Sequence, residues 1–255
     1  MISSDIYRHA RYYDLAFSFV NIAEQVDLFE SFIAEYSHIG VKSVLDLCCG
    51  PSRQLSEFAR RGYRPLGLDL SAEMLSYLAA RAAQEGVTVE TVQADMVDFS
   101  LESRVDFAFI LMGSTEFITD NDAMLQHLAT MGRALNPGGL YLLENLAMNW
   151  SDPRFGKAET WEMKDGGLTV RTTFKMELVD SLEQLAQVTL EMQVNDHGER
   201  LHLANCDAVK LFMPQEFKSL VQLQGDFEFV GYFERSSTRP LKDISRDNLV
   251  VLRRR

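Results

Sequence analysis

Between Val44 and Leu143, short apolar runs alternate with segments of helical spacing, a pattern that admits few architectures. Val44-Leu45-Asp46-Leu47 runs into the small-residue turn Cys48-Cys49-Gly50-Pro51-Ser52, after which Leu55, Phe58 and Ala59 share one helical face as far as Gly62. Pro65 to Leu70 is a second strand. Ser71 is placed to cap the next helix, Glu73 suits the positive end of its dipole, and Met74, Leu75, Leu78, Ala79 and Ala82 form a buried stripe that Gly86 ends. Val87 to Val92 has period two, and Val105 to Leu111 is apolar almost throughout, as in a central strand covered on both faces. Thr119 and Asp122 suggest a capping box for a helix carrying Leu125, Leu128, Ala129 and Leu135. Asn136-Pro137-Gly138-Gly139 breaks that helix before the fifth strand, Leu140 to Leu143. Such alternation predicts a doubly wound, mostly parallel sheet whose ligands bind beyond the carboxyl ends of its strands.

The second half changes character. Leu168 to Leu178, Ala186 to Val194 and Leu201 to Leu211 are β-prone, and Asp165-Gly166-Gly167 and Asn195-Asp196-His197-Gly198 read as hairpin turns. An antiparallel sheet inserted after the fifth strand is expected. Pro214 then opens a helix with Phe217, Leu220 and Val221, and Phe227 to Phe233 and Asn248 to Leu252 close the main sheet. The expected units are a helical cap over residues 1–40, an α/β core over 41–146, an antiparallel lid over 147–213, and a closing helix with two strands over 214–255.

The net charge of −12 repels phosphate backbones and anionic lipid, so nucleic acid and membrane surfaces are not expected partners. The three cysteines, Cys48, Cys49 and Cys206, include an adjacent pair that neither chelates one ion nor pairs readily. With no apolar leader and no stretch of membrane-spanning length, the expectation is a cytoplasmic protein, monomeric or homodimeric. His9, His38, His127, His197 and His202 are scattered, so no metal is expected.

The first three strand ends together carry the functional reading. The turn around Cys48 and Gly50 lets backbone N–H groups approach a ligand. Asp69, at the end of the second strand, is placed to accept both hydroxyls of a ribose. After the third, Asp95 is placed to accept from an adenine amine, with Met96 beside it as an apolar wall. These segments, with Gly67-Leu68-Asp69-Leu70-Ser71-Ala72-Glu73-Met74-Leu75 and Leu135-Asn136-Pro137-Gly138-Gly139, resemble the successive motifs of class I S-adenosylmethionine-dependent methyltransferases. The resemblance implies a Rossmann-like seven-stranded α/β fold. It implies S-adenosylmethionine as cofactor and S-adenosylhomocysteine as product, Asp69 on the ribose and Asp95 on the adenine amine. Asp46, Cys48 and Gly50 would face the methionine part, Leu111 would lie next to it, and Leu70 and Met74 would complete the cofactor set.

Tyr12-Tyr13-Asp14 resembles the pattern of members whose first helix closes over the cofactor, and the insert resembles the lid sheet of members that methylate small amines, sugars or acids. Two departures stand out. Cys48 and Ser52 replace glycines of the turn, and Ala134, Asn145 and Leu146 replace the His and Pro-Trp often present in sugar N-methyltransferases. Around the mouth, Glu144 and Tyr13 are the candidate catalytic groups, with Glu144 read either as a base or orienting carboxylate or as a supporting contact. Ser114, Glu116, Asn145, Trp150 and Trp161 are candidate acceptor contacts. The expected activity is methyl transfer to N or O of a small molecule. The alternatives are a non-methylating reaction on the same cofactor, or binding without turnover. A nicotinamide enzyme is disfavoured because its glycine pattern is missing after the first strand. A nucleobase methyltransferase is disfavoured because Leu111-Met112-Gly113-Ser114-Thr115 lacks the Pro-Pro-aromatic signature.

Overall fold

A computed structural model describes residues 2–3, 6–146, 155–243 and 247–255. In chain order the elements are β1 (Ile2–Ser3), α1 (Ala10–Ala16), α2 (Ile22–Tyr36), β2 (Ser43–Leu47), α3 (Arg53–Arg60), β3 (Arg64–Asp69), α4 (Ala72–Gln84), β4 (Glu90–Gln93), β5 (Val105–Ile110), α5 (Asn121–Ala134) and β6 (Leu135–Glu144). The inserted strands β7 (Glu159–Asp165), β8 (Leu168–Asp180), β9 (Leu185–Asp196) and β10 (Glu199–Lys210) follow. The chain returns through α6 (Pro214–Gln224), β11 (Phe227–Glu234) and β12 (Asn248–Arg254).

The seven-stranded sheet has the order β11-β12-β6-β5-β2-β3-β4. Its five strands from β6 to β4 are parallel, β11 runs in the same direction, and β12 between β11 and β6 is antiparallel to both neighbours. The order reverses beside β2, which places the ligand crevice at that strand's carboxyl end. Every residue of β2 is buried, as a strand flanked by neighbours and covered on both faces must be. One cluster built around Leu45, Leu47, Ala108, Ile110 and Tyr141 packs under α5 and α6. The other, around Val44, Phe107, Phe109 and Leu142, packs under α2, α3 and α4. Gly67 is where α3 and α4 meet β3: a Cβ there would lie 2.9 Å from Cys49 Sγ and 3.0 Å from both Leu55 and Leu78.

The insert is a second sheet, β1-β10-β9-β8-β7, antiparallel except for the two-residue β1, which joins β10 in parallel. Its inner face packs Leu168, Val170, Leu190 and Met192 against Leu15 and Ala16 of α1. Two local expectations are revised. The cap of α5 is Asp120, whose side chain accepts from Ala123 N–H at 2.8 Å, rather than Thr119. The insert also gains β7, an edge strand whose charged composition hides an alternation of Glu159, Trp161 and Met163. No helix among the described residues is long and apolar enough to cross a membrane.

Candidate active site

A cavity of about 1200 Å³ opens where β2, β3, β4, β5 and β6 end and extends beneath the inserted sheet. Pockets that hold one ligand usually span about 300–1,000 Å³, so the volume suits two ligands side by side. Each site residue chosen from the sequence borders it, except Trp150, which lies outside the described residues.

The turn after β2 is built by two left-handed residues, Cys48 (φ +51°) and Gly50 (φ +50°). Glycine takes this conformation freely. Cys48 bears a cost of about 1–2 kcal/mol, which the surrounding structure must hold. Asp69 supplies one restraint: its Oδ2 accepts the Gly50 N–H at 2.7 Å, and its Oδ1 accepts the Ser71 N–H at 2.8 Å. Each oxygen keeps a second lone pair, which leaves the carboxylate able to receive a diol. Burial pushes the Asp69 carboxyl up, and its backbone donors oppose that shift.

Asp46, at the end of β2, accepts the Ser52 hydroxyl at 2.6 Å, and burial holds its carboxyl well above the usual range. Cys48 Sγ lies 3.4 Å from Met96 Sδ, and burial keeps both Cys48 and Cys49 protonated thiols, unsuited to nucleophilic chemistry. Among the described residues no group of three His, Cys, Asp or Glu side chains is arranged to hold a metal ion.

On the other side of the crevice, Asp95 is exposed and uses one oxygen on the Val97 N–H at 2.8 Å. The loop it stands on is strapped down by α5. His127 Nδ1 is 2.8 Å from the Met96 carbonyl and its Nε2 is 2.9 Å from the Tyr141 hydroxyl. A carbonyl only accepts, so Nδ1 carries the proton and Tyr141 donates to Nε2. Burial drops the His127 pKa to about 4, keeping it neutral. The Thr130 hydroxyl donates to the Val97 carbonyl at 2.9 Å from the same helix face.

The candidate catalytic groups are differently placed from what strand-end logic suggests. Glu144 is 1% exposed with both oxygens engaged: Oε2 accepts the Met112 N–H at 2.6 Å and Oε1 accepts Arg235 Nε at 2.5 Å. It stabilises the left-handed turn of Met112 (φ +58°) and Gly113 (φ +73°), which fits the supporting reading of this residue rather than a free base. Tyr13 is packed against Phe17 at 4.7 Å and Tyr7 at 5.9 Å, and burial pushes its phenol up, so it offers a hydroxyl donor and not a base. Asn145 (φ +58°) donates its N–H to the Asn248 carbonyl at 2.8 Å, while its Oδ1 is buried without a hydrogen-bond partner among the described residues. Ser114 Oγ donates to the Leu111 carbonyl at 2.9 Å, and Glu116 is buried in the turn beside Gly113. Trp161 donates to the Ala16 carbonyl at 2.7 Å with its ring 5.6 Å from Phe17, so it both packs α1 and borders the cavity.

Several residues that matter here carry little or no local sequence signal. Asp14, 7% exposed, accepts Arg53 at 2.8 and 3.0 Å, Arg81 at 3.1 Å and the Tyr77 hydroxyl at 3.0 Å, clamping α1 to α3 and α4. Arg235 and His127 likewise act across the fold. Only Tyr12-Tyr13-Asp14 hinted at its role in advance.

Residues 44–139 match the methyltransferase-domain family. A candidate methyltransferase of Geobacillus sp. (strain WCH70) is 28% identical over 122 residues, covering 46% of this chain and 49% of that protein, so the match spans about half of that relative's length. The dTDP-3-amino-3,4,6-trideoxy-alpha-D-glucopyranose N,N-dimethyltransferase of Streptomyces venezuelae is 24% identical over 189 residues, 72% of this chain and 74% of that one. An S-adenosylmethionine-dependent methyltransferase from Clostridium acetobutylicum superposes with a TM-score of 0.79 at 15% identity, covering 95% of each chain. Residues 44–139 thus match the methyltransferase-domain family, and the chain has the fold seen in S-adenosylmethionine-dependent methyltransferases.

Proposed function

We propose that this chain binds S-adenosylmethionine and moves its methyl group to an N or O atom of a small molecule. The observation that carries the reading is the placement of Asp69, the Cys48–Gly50 turn and the Asp95–Met96 loop along one cavity that continues under a separate sheet. The donor set fits the cofactor. Asp69 has lone pairs left for the ribose hydroxyls and Asp95 one oxygen for the adenine amine. The carboxylates around the turn favour a sulfonium cation.

When bound, the cofactor supplies an electrophilic methyl group. The residues of this chain bind, align and exclude water, and alignment of two bound reactants contributes up to about 7–11 kcal/mol. Glu144 holds the Met112 turn that floors the acceptor end, and Arg235 Nε donates to its other oxygen. With that carboxylate committed, an acceptor that reaches the site with a free lone pair suits the arrangement, and its proton leaves to solvent.

Calorimetry with S-adenosylmethionine and S-adenosylhomocysteine tests the reading. Micromolar binding that Asp69→Asn weakens tenfold or more, about 1.4 kcal/mol, is expected. Asn is the informative change, since Ala would also orphan the Gly50 and Ser71 N–H groups. Absence of binding refutes the reading. Tight binding with no methylated product from any amine, alcohol or acid favours a non-methylating use of the cofactor.

A further inference from the structure

The far half of the cavity differs chemically from the half at the strand ends. Its wall is the inner face of the inserted sheet: Met163, Phe174, Met176, Val188, Leu190 and Val209. Two carboxylates stand in it: Glu159 on the edge strand β7, itself engaged, and Asp207 on β10. Met176 pairs across the ladder with Val188, and Val188 with Asp207, so Asp207 continues an apolar row. Desolvation by these neighbours pushes the Asp207 carboxyl up, opposed by its hydrogen bond with Asn205. A carboxylate so placed gains more from a cation than one in water does, because the surrounding dielectric is lower.

The cations bordering the cavity are committed elsewhere. Arg53 is bidentate to Asp14, and Arg235 is held by Glu144 at 2.5 Å and Asp247 at 3.7 Å. Arg8 is exposed and itself engaged. No lysine borders the cavity among the described residues, where ten carboxylates face three guanidiniums. A diphosphate carrying two or more negative charges would enter this field with no uncommitted guanidinium fork or ammonium among the described residues to receive it.

Resting on the methyl-transfer reading above, we propose that the acceptor is an apolar amine, its hydrocarbon or aromatic body on the inserted sheet and its ammonium form drawn in by Asp207, the nitrogen losing that proton to solvent before its lone pair takes the methyl group, rather than a nucleotide-linked sugar. The replacement of the sugar-family His and Pro-Trp by Ala134, Asn145 and Leu146 agrees with a different acceptor.

The test uses the full chain loaded with S-adenosylhomocysteine, so cofactor binding is measured first. If that fails, the methyl-transfer reading is at fault and not the acceptor class. Onto the loaded protein, 4-phenylbutylamine, 4-phenylbutanoic acid and thymidine diphosphate are titrated in turn. The amine is expected to bind at least tenfold tighter than the acid and the diphosphate. Asp207→Asn, a near-isosteric change, should remove that preference while leaving S-adenosylhomocysteine affinity unchanged. The assignment is overturned by equal or tighter binding of the acid or the diphosphate, by no amine binding up to millimolar concentration, or by a preference that survives Asp207→Asn.

Discussion

Replacing Asp14 by Ala should loosen the N-terminal helix and the cofactor together. The carboxylate is 7% exposed and serves Arg53, Arg81 and Tyr77 at once. Breaking a buried pair from one side costs roughly 3–5 kcal/mol, because the partner charge is left uncompensated. Two features reduce that here. The Arg53 side chain is 41% exposed and regains water, and Arg81 keeps a second acceptor, the Pro51 carbonyl at 2.5 Å. A loss of about 2 kcal/mol remains, and it falls on the attachment of α1 rather than on the sheet core, which Asp14 does not touch. Hydrogen exchange of the α1 amides is the assay: their opening should increase by roughly 30-fold, while the urea midpoint of the main sheet moves little. Since α1 also carries Tyr13, which borders the cavity, S-adenosylhomocysteine should dissociate faster in the same variant. Asp14→Asn should fall between, keeping an acceptor and losing the charge. Unchanged α1 protection in Asp14→Ala would refute the clamp.

Further expectations can be checked on the same protein. The pKa of His127 falls from an ordinary 6.5 to about 4 on burial. Between those values the unfolded chain binds a proton that the folded one refuses, so stability is lost as pH falls from 6.5 toward 4, by roughly 3 kcal/mol at most. The stability difference between wild type and His127→Gln, followed by urea titration across that range, should shrink toward acid pH, and a constant difference would contradict the neutral assignment. Glu144→Gln should cost about 2 kcal/mol by weakening the Arg235 and Met112 contacts, yet leave methyl transfer within tenfold. A thousandfold fall in rate with unchanged thermal stability would restore that carboxylate as the base. Gly67→Ala should destabilise by about 1–3 kcal/mol in urea unfolding through overpacking against Cys49, Leu55 and Leu78, and a neutral result would mean that α3 and α4 shift freely.

What could be read from the sequence is what depends on neighbours in the chain. Strand, turn and helix follow one another at Asp46–Leu55 and at Leu68–Met74, so the small-residue turn, the strand-end Asp69 and the Ser71 cap, which accepts the Met74 N–H at 3.2 Å, were legible from residue type and spacing. The parallel sheet and the antiparallel insert were legible for the same reason, because hydrophobic period reports how many faces of a strand are covered. Thr119 was misread as a cap because Asp120, one residue on, offers the same chemistry.

Only the tertiary structure decided which groups meet across the fold. Glu144 and Arg235 are 91 residues apart, Asp14 and Arg81 are 67 apart, and Met96 and His127 are 31 apart. Strand-end position places Glu144 at the border of the cavity but could not reveal the arginine that meets it there. Asp207 looked like one polar residue among many in a β-prone run until the register of β8, β9 and β10 set it among Met176, Val188 and Val209. The reason is that a strand's period of two marks two faces without saying what each face meets. Charge pairing and pKa depend on that meeting, through burial and distances of a few ångströms that strand order alone brings about.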